Sequence, residues 1–131
     1  MTLPDAEDIA IYITSAYPVE IRIVEVGIGR EDSVYKALKK NDRFKLTAVD
    51  SFPLGNALFD DASKPDLTIY RGADLIYSIR PNPELIPHLR RMAKEVGASL
   101  LIRPLTTDAC HMPRGMRLVN HGKAVLWEEK R

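Results

Sequence analysis

Residues 25 to 30 read EVGIGR. An acid and two glycines at this spacing suit one task, which is to hold a polar ligand against main chain. Gly27 lets the chain turn sharply as it leaves a strand. Gly29 lets backbone come close to a ligand at the start of the next helix, where free N–H groups favour oxygen atoms. The dinucleotide fingerprint wants a third glycine at position 32, where this chain has Asp32 preceded by Glu31. Two acids there repel a pyrophosphate, which speaks against NAD or FAD. No Gly-Lys-Ser/Thr follows the glycines, so the phosphate-loop pattern fails too.

A ligand with a ribose and a less negative tail fits better. S-adenosylmethionine has both a carboxylate and an ammonium at its amino-acid end, and its sulfonium is positive. Glu25 would meet the ammonium, directly or through water. Asp50 comes 21 residues after Gly29 and ends the next strand, where a carboxylate accepts both ribose hydroxyls. Asp60 and Asp61 have two readings of equal weight: caps of a short helix, or an acceptor for an adenine amino group. A bare GxG after a strand is common without any ligand; Asp50 in the right place is what strengthens it.

Two cations are candidates for binding a substrate. Arg80 sits just beyond a central strand, on the side where open α/β sheets bind ligands, and could clamp a carboxylate or phosphate. The plainer reading pairs it with Glu84 or Asp50. Arg103 ends the next strand on the same side and either extends a positive pocket or is solvated. Ser78 and Tyr77 are weaker candidates, and Asn82 suits a helix cap. His111 could act as a base but has no identifiable partner. His88 reads as a helix residue and His121 as a turn residue. The three histidines lack metal-ligand spacing, so no metal is expected. Tyr12, Tyr35, Tyr70 and Trp127 are scattered and read as core or oligomer contacts.

These residues need elements to hold them. PDAEDIAIYITSAY, residues 4 to 17, has a helical face at Ile9, Ile13 and Ala16, with Asp5 or a neighbour as its cap. IRIVEV reads as a buried parallel strand. A helix over about 31 to 40 and a strand ending at Asp50 complete a βαβ unit. The stretch 51 to 72 has little pattern: FPLGN reads as a turn, ALF as a short strand, and 67 to 70 as a strand or helical turn. ADLIYSI is a central strand. Leu85, Leu89, Met92 and Val96 recur at four, three and four, a helical stripe that Gly97 ends. ASLLIRP is another strand, and MRLVN and KAVLWEE flank a hairpin turn. The fold expected is α/β, three-layer with helices on both faces of a mostly parallel sheet, and with a C-terminal antiparallel β-hairpin. Its 131 residues suit one domain.

Composition narrows the function classes. With a net charge of +1, overall charge gives no argument for nucleic acid, and no DNA partner is expected. Cys110 is the single cysteine, so neither an internal disulfide nor a cysteine metal cluster can form. No run of 18 apolar residues and no basic leader appears, which points to a cytoplasmic protein away from membranes.

EVGIGR, Asp50, FDDASKP, IYRGADLIYSIRPNPEL, GASLLIRPLT and MRLVNHGK together resemble a small archaeal family of uncharacterised proteins. Its fold is similar to a shortened S-adenosylmethionine-dependent methyltransferase domain, so the resemblance implies a Rossmann-like sheet of the methyltransferase type, shortened. The resemblance runs from about residue 8 to 127, and ADLIYSIRP is its most specific part. It implies that Glu25, Gly27 and Gly29 match the first cofactor motif of that fold, Asp50 the acid after strand two, and Asp60 or Asp61 the acid after strand three. Departures stand beside these matches. The segment between strands two and four is too short for two crossover helices, and TTDACHMPRG is too short for a long last helix. Enzymes that methylate nitrogen often carry Asn-Pro-Pro or Asp-Pro-Pro and an aromatic after strand four. This chain has Ser78, Ile79, Arg80, Pro81 and Asn82.

Three functions therefore compete. One is an S-adenosylmethionine-binding protein, in its fuller form a methyltransferase acting on a small molecule or an RNA. The second is a non-catalytic nucleotide-like ligand-binding or regulatory module on a degenerate methyltransferase fold. The third is another enzyme using Arg80 and Arg103 on an anionic substrate. The missing substrate-covering insertions suggest that a second copy, in a homodimer, completes the pocket.

Overall fold

The computed structural model describes residues 3–105 and 112–131. Its elements run in the order α1 (Ala6–Ala16), β1 (Ile21–Val26), α2 (Ser33–Lys39), β2 (Phe44–Asp50), β3 (Leu58–Phe59), α3 (Leu67–Tyr70), β4 (Leu75–Ile79), a 3-10 turn (Pro83–Leu85), α4 (Ile86–Val96), β5 (Ser99–Arg103), β6 (Arg117–His121) and β7 (Ala124–Glu129). One seven-stranded sheet has the order β3-β2-β1-β4-β5-β7-β6. β1 to β5 are parallel to one another, while β7 runs antiparallel between β5 and β6.

The apolar run of β1 follows from this place in the sheet, with layers on both faces. Ile21 and Ile23 face one core with Ile9 and Ile13 of α1 and Val34 and Leu38 of α2. Val24 and Val26 face the other, with Leu89, Met92 and Ala93 of α4. Each such side chain, fully buried, contributes roughly 1.5–3 kcal/mol. Asn82 accepts the Glu84 N–H at 3.1 Å and so opens the 3-10 turn leading into α4. Gly97 closes α4 in the left-handed conformation with φ 75°.

The uncertain middle resolves into the two-residue strand β3 and the four-residue helix α3. No helix joins β2 to β3. Asp5 precedes α1 but makes no side-chain cap. Its carboxylate goes to Arg103 instead: Nε donates to Oδ2 at 3.0 Å and Nη2 to Oδ1 at 3.2 Å. His121 is the last residue of β6 and not part of the turn itself. No helix among the described residues is long and apolar enough to cross a membrane.

Candidate active site at the glycine loop

The glycine loop is fastened to β2 before any ligand is considered. Gly27 and Ile28 donate their N–H groups to the Val49 carbonyl at 2.8 and 3.3 Å. Gly27 and Gly29 have φ of 74° and 53°, the left-handed region that a side chain strains. A Cβ at Gly29 would also lie 3.9 Å from Asp50 Oδ2. That oxygen accepts the Gly29 N–H at 2.7 Å, while Oδ1 accepts the Phe52 N–H at 2.8 Å. An ionised carboxylate offers about four acceptor positions, so about two remain. Phe52, beside this acid, is 83% exposed, an aromatic face with no protein cover. Its position two residues after a strand-ending acid was the only sequence signal for it.

Glu25 lies elsewhere in the site than an open contact with an ammonium would require. It is 1% exposed and pairs in register with Ala48 of β2 and Tyr77 of β4. The Tyr77 hydroxyl donates to Glu25 Oε1, and Oε2 has neither solvent nor a hydrogen-bond partner. Burial, reinforced by the negative charges of Asp32, Glu31 and Asp50, outweighs the Tyr77 hydrogen bond and pushes the carboxyl up to about 8. The same burial, with Glu25 beside it, drives the Tyr77 phenol far above its usual range. Tyr77 was a weaker candidate in the sequence, and its pairing with Glu25, 52 residues away, is what the sequence did not show. Ser78, next to it, donates to the Val26 carbonyl at 2.8 Å, which ties β4 to the end of β1.

Asp60 and Asp61 separate into two local structural roles. Asp60 is 7% exposed and turned inward. It accepts the Tyr70 hydroxyl at Oδ2 and the Asp66 N–H at Oδ1, the latter at 3.0 Å. Asp61 Oδ1 accepts from the Ser63 hydroxyl and N–H at 2.7 and 2.9 Å, and these bonds hold its carboxyl below the usual range. Neither caps α3; Asp66 does, through the Thr68 N–H at 3.1 Å.

The two arginines also part. Arg103 does not extend a positive pocket: its fork is committed to Asp5, and Nη1 donates to the Pro104 carbonyl at 3.0 Å. Arg80 is exposed and has no ion pair among the described residues, neither with Glu84 nor with Asp50. Its φ of 51° is the one positive value at a non-glycine residue among the described residues. Its N–H donates to the Arg103 carbonyl at 2.6 Å, which anchors the turn. Burial raises the Glu31 carboxyl, but hydrogen bonds from Ser33 and then from the Leu3 backbone, with the Arg80 charge as the smallest contribution, hold it below the ordinary carboxylate range. Cys110 and His111 lie outside the described residues.

Two cavities flank α2. One of about 460 Å³ is lined by Gly29, Tyr35, Lys36, Ala48 and Leu54, on the side where no helix joins β2 to β3. Another, of about 640 Å³, runs between α1 and α2 past Ala6, Ala10 and Ala37. Neither reaches Glu25.

The sheet order, the glycine loop on β1 and the acid ending β2 define a methyltransferase-like Rossmann domain. Solved structures carry the same fold at low identity. A protein-(glutamine-N5) methyltransferase, release factor-specific, from Alicyclobacillus acidocaldarius superposes with a TM-score of 0.60 at 18% identity, over 100% of this chain and 95% of that one. A putative ribosomal RNA methyltransferase from Plasmodium falciparum gives 0.59 at 12%, over 100% and 98%. The chain belongs to the uncharacterised protein family UPF0146, whose model matches residues 6–131. A UPF0146 protein of Methanothermobacter thermautotrophicus is 42% identical over 122 residues, 92% of each chain. One from Archaeoglobus fulgidus is 40% identical over 124 residues, 91% of this chain and 90% of its own.

Proposed function

We propose that the chain binds S-adenosylmethionine across the carboxyl ends of β1 and β2 and is a methyltransferase acting on a small molecule or an RNA. The observation that carries this reading is the clasp of Asp50 on Gly29, an acid and a close-approach glycine held 2.7 Å apart. The remaining acceptor positions of Asp50 suit the ribose hydroxyls, and exposed Phe52 offers a flat face for adenine. Bound, the cofactor supplies an electrophilic methyl on a sulfonium. Gly27 and Gly29 keep space open for it, and buried Glu25 sets the local charge.

Arg80 is the residue we assign to an anionic group of the methyl acceptor. A strained, exposed cation at the end of a central strand, with no ion pair among the described residues, suits that task. Asp60 and Asp61 do not enter this reading, because local hydrogen bonds already engage their carboxylates.

A second reading has its own support. The turn after β4 is Arg80-Pro81-Asn82, without an aromatic, and β2 and β3 lack a crossover helix. Both features suit a module that keeps the ligand and has lost the chemistry. Calorimetric titration with S-adenosylmethionine, S-adenosylhomocysteine and NAD tests the cofactor: the adenosyl sulfur ligands are expected to bind and NAD not. No heat from either at millimolar ligand would remove it. Methyl transfer to candidate small molecules and RNA, followed with labelled cofactor, then separates enzyme from module.

A further inference from the structure

Glu25 and Glu31 each keep a buried oxygen without a partner among the described residues, and of the two only Glu25 is itself a buried residue. Buried polar atoms are nearly always satisfied, so an orphan calls for a physical account. Tyr77 holds the other oxygen from the neighbouring strand, and its own hydroxyl has no second bond. The groups that act most strongly on the carboxyl are neutral or negative: Tyr77 on β4, Tyr35 on α2, Asp32 and Glu31 ahead of α2, and Asp50 at the end of β2, while the Arg80 cation after β4 acts on Glu31. From α1, the titratable groups bond elsewhere, Asp5 to Arg103, Asp8 to the Lys123 N–H and Tyr12 to Glu128. Among the described residues no cation pairs with Glu25.

We propose that Glu25, positioned by Tyr77, reads the charge of the ligand at the glycine loop: it holds a proton while the site is empty and releases it to solvent when a cationic ligand docks, so the sulfonium cofactor is retained over its demethylated product. The inference rests on the cofactor reading above. S-adenosylmethionine carries one positive charge more than S-adenosylhomocysteine, and a nearby positive charge favours the ionised carboxyl. The proton leaves as the ligand's charge arrives, so the buried site gains no net charge. Tyr77 is a positioning residue here: its donated hydrogen bond favours the ionised form and sets the pH at which the exchange occurs.

The test is calorimetric titration of the full chain between pH 5.5 and 7.5, in buffers of different ionisation heat, so that released protons are counted. Affinity for S-adenosylmethionine should tighten with pH, by up to about tenfold per unit, with proton release approaching one per ligand. S-adenosylhomocysteine should show a shallower climb and less release. Glu25→Gln should flatten both. Tyr77→Phe should move the climb to higher pH, which a merely structural role would not do. In the ligand-free protein, carboxyl carbon NMR should show Glu25 still protonated at pH 6.5. A carboxyl already ionised at pH 6, or a Glu25→Gln protein that keeps the climb, would overturn the inference and leave the cofactor reading standing. Absence of binding by both adenosyl ligands would remove the cofactor reading and this inference together.

Discussion

Glu25 and Asp60 are both buried acids, and each holds a tyrosine hydroxyl from a later element. They differ in the second oxygen. At Asp60 it accepts the Asp66 N–H, so the carboxylate is satisfied on both sides and locks the turn between β3 and α3. At Glu25 it accepts nothing. The same pair of residue types thus makes a closed structural joint in one place and an open acid in the other. A buried acid with its tyrosine is no mark of function by itself; the count of remaining partners separates the two.

The largest effect expected from this contrast is on stability against pH. Burial raises Glu25 to about 8 in the folded protein, above its ordinary value of 4.5. Between those values the folded state holds more protons than the unfolded one, so stability falls as pH rises and levels off above 8. The loss from this one group is on the order of 4 kcal/mol. Melting temperatures from pH 5 to 8 should fall in the wild type and stay nearly level in Glu25→Gln. A wild-type curve as flat as the variant's would break the contrast.

Asp60 contributes through its two hydrogen bonds. Asp60→Asn puts an amide nitrogen where an acceptor is needed, and Tyr70→Phe leaves a buried carboxylate oxygen unpaired. Each should cost about 1–3 kcal/mol in urea unfolding at pH 7. Asp60→Asn with unchanged stability would mean that the joint is not closed.

For ligand affinity the ranking moves to Asp50. Asp50→Ala should weaken S-adenosylhomocysteine by about tenfold, as expected for loss of hydrogen bonds to a charged acceptor. Asp60→Asn, compared where both proteins are folded, should change it little. Equal losses would return Asp60 to the binding site.

The smallest effect belongs to Arg80. Arg80→Gly relieves a φ of 51° and should leave stability unchanged or raise it by up to about 1 kcal/mol in urea unfolding. Arg80→Ala keeps the strain and should not gain. Both should lose whatever affinity an anionic methyl acceptor has for the wild type.

These contrasts also mark what was legible beforehand. Local patterns carried the strands and helices: the apolar run of β1, the stripe of Leu85, Leu89, Met92 and Val96, and Gly97 as a stop. The glycine loop and Asp50 were legible because their spacing lies within one βαβ unit. The failures sit where partners are distant. Asp5 is a natural cap by type, yet Arg103, 98 residues on, takes its carboxylate. The inward turn of Asp60 depends on Tyr70 and Asp66, and nothing in two adjacent aspartates announces which will face the core. Tyr77 was a weaker candidate beside Arg80, and only register placed it opposite Glu25.

The order of the last strands has a consequence for synthesis on the ribosome. β7 sits between β5 and β6, so β6 is translated before the strand that attaches it to the sheet. Until residues 124–129 emerge, β5 has a bare edge and β6 has no neighbour at all. Leu100, Leu101 and Ile102 lie along that bare edge, which makes it a template for another chain. The same residues bring Glu128 to the hydroxyls of Tyr12 and Tyr17, at 2.7 and 3.2 Å, which ties the first helix to the last strand. A nascent chain stalled after His121 is therefore expected to be an aggregating species, and one extended past Glu129 a folding one.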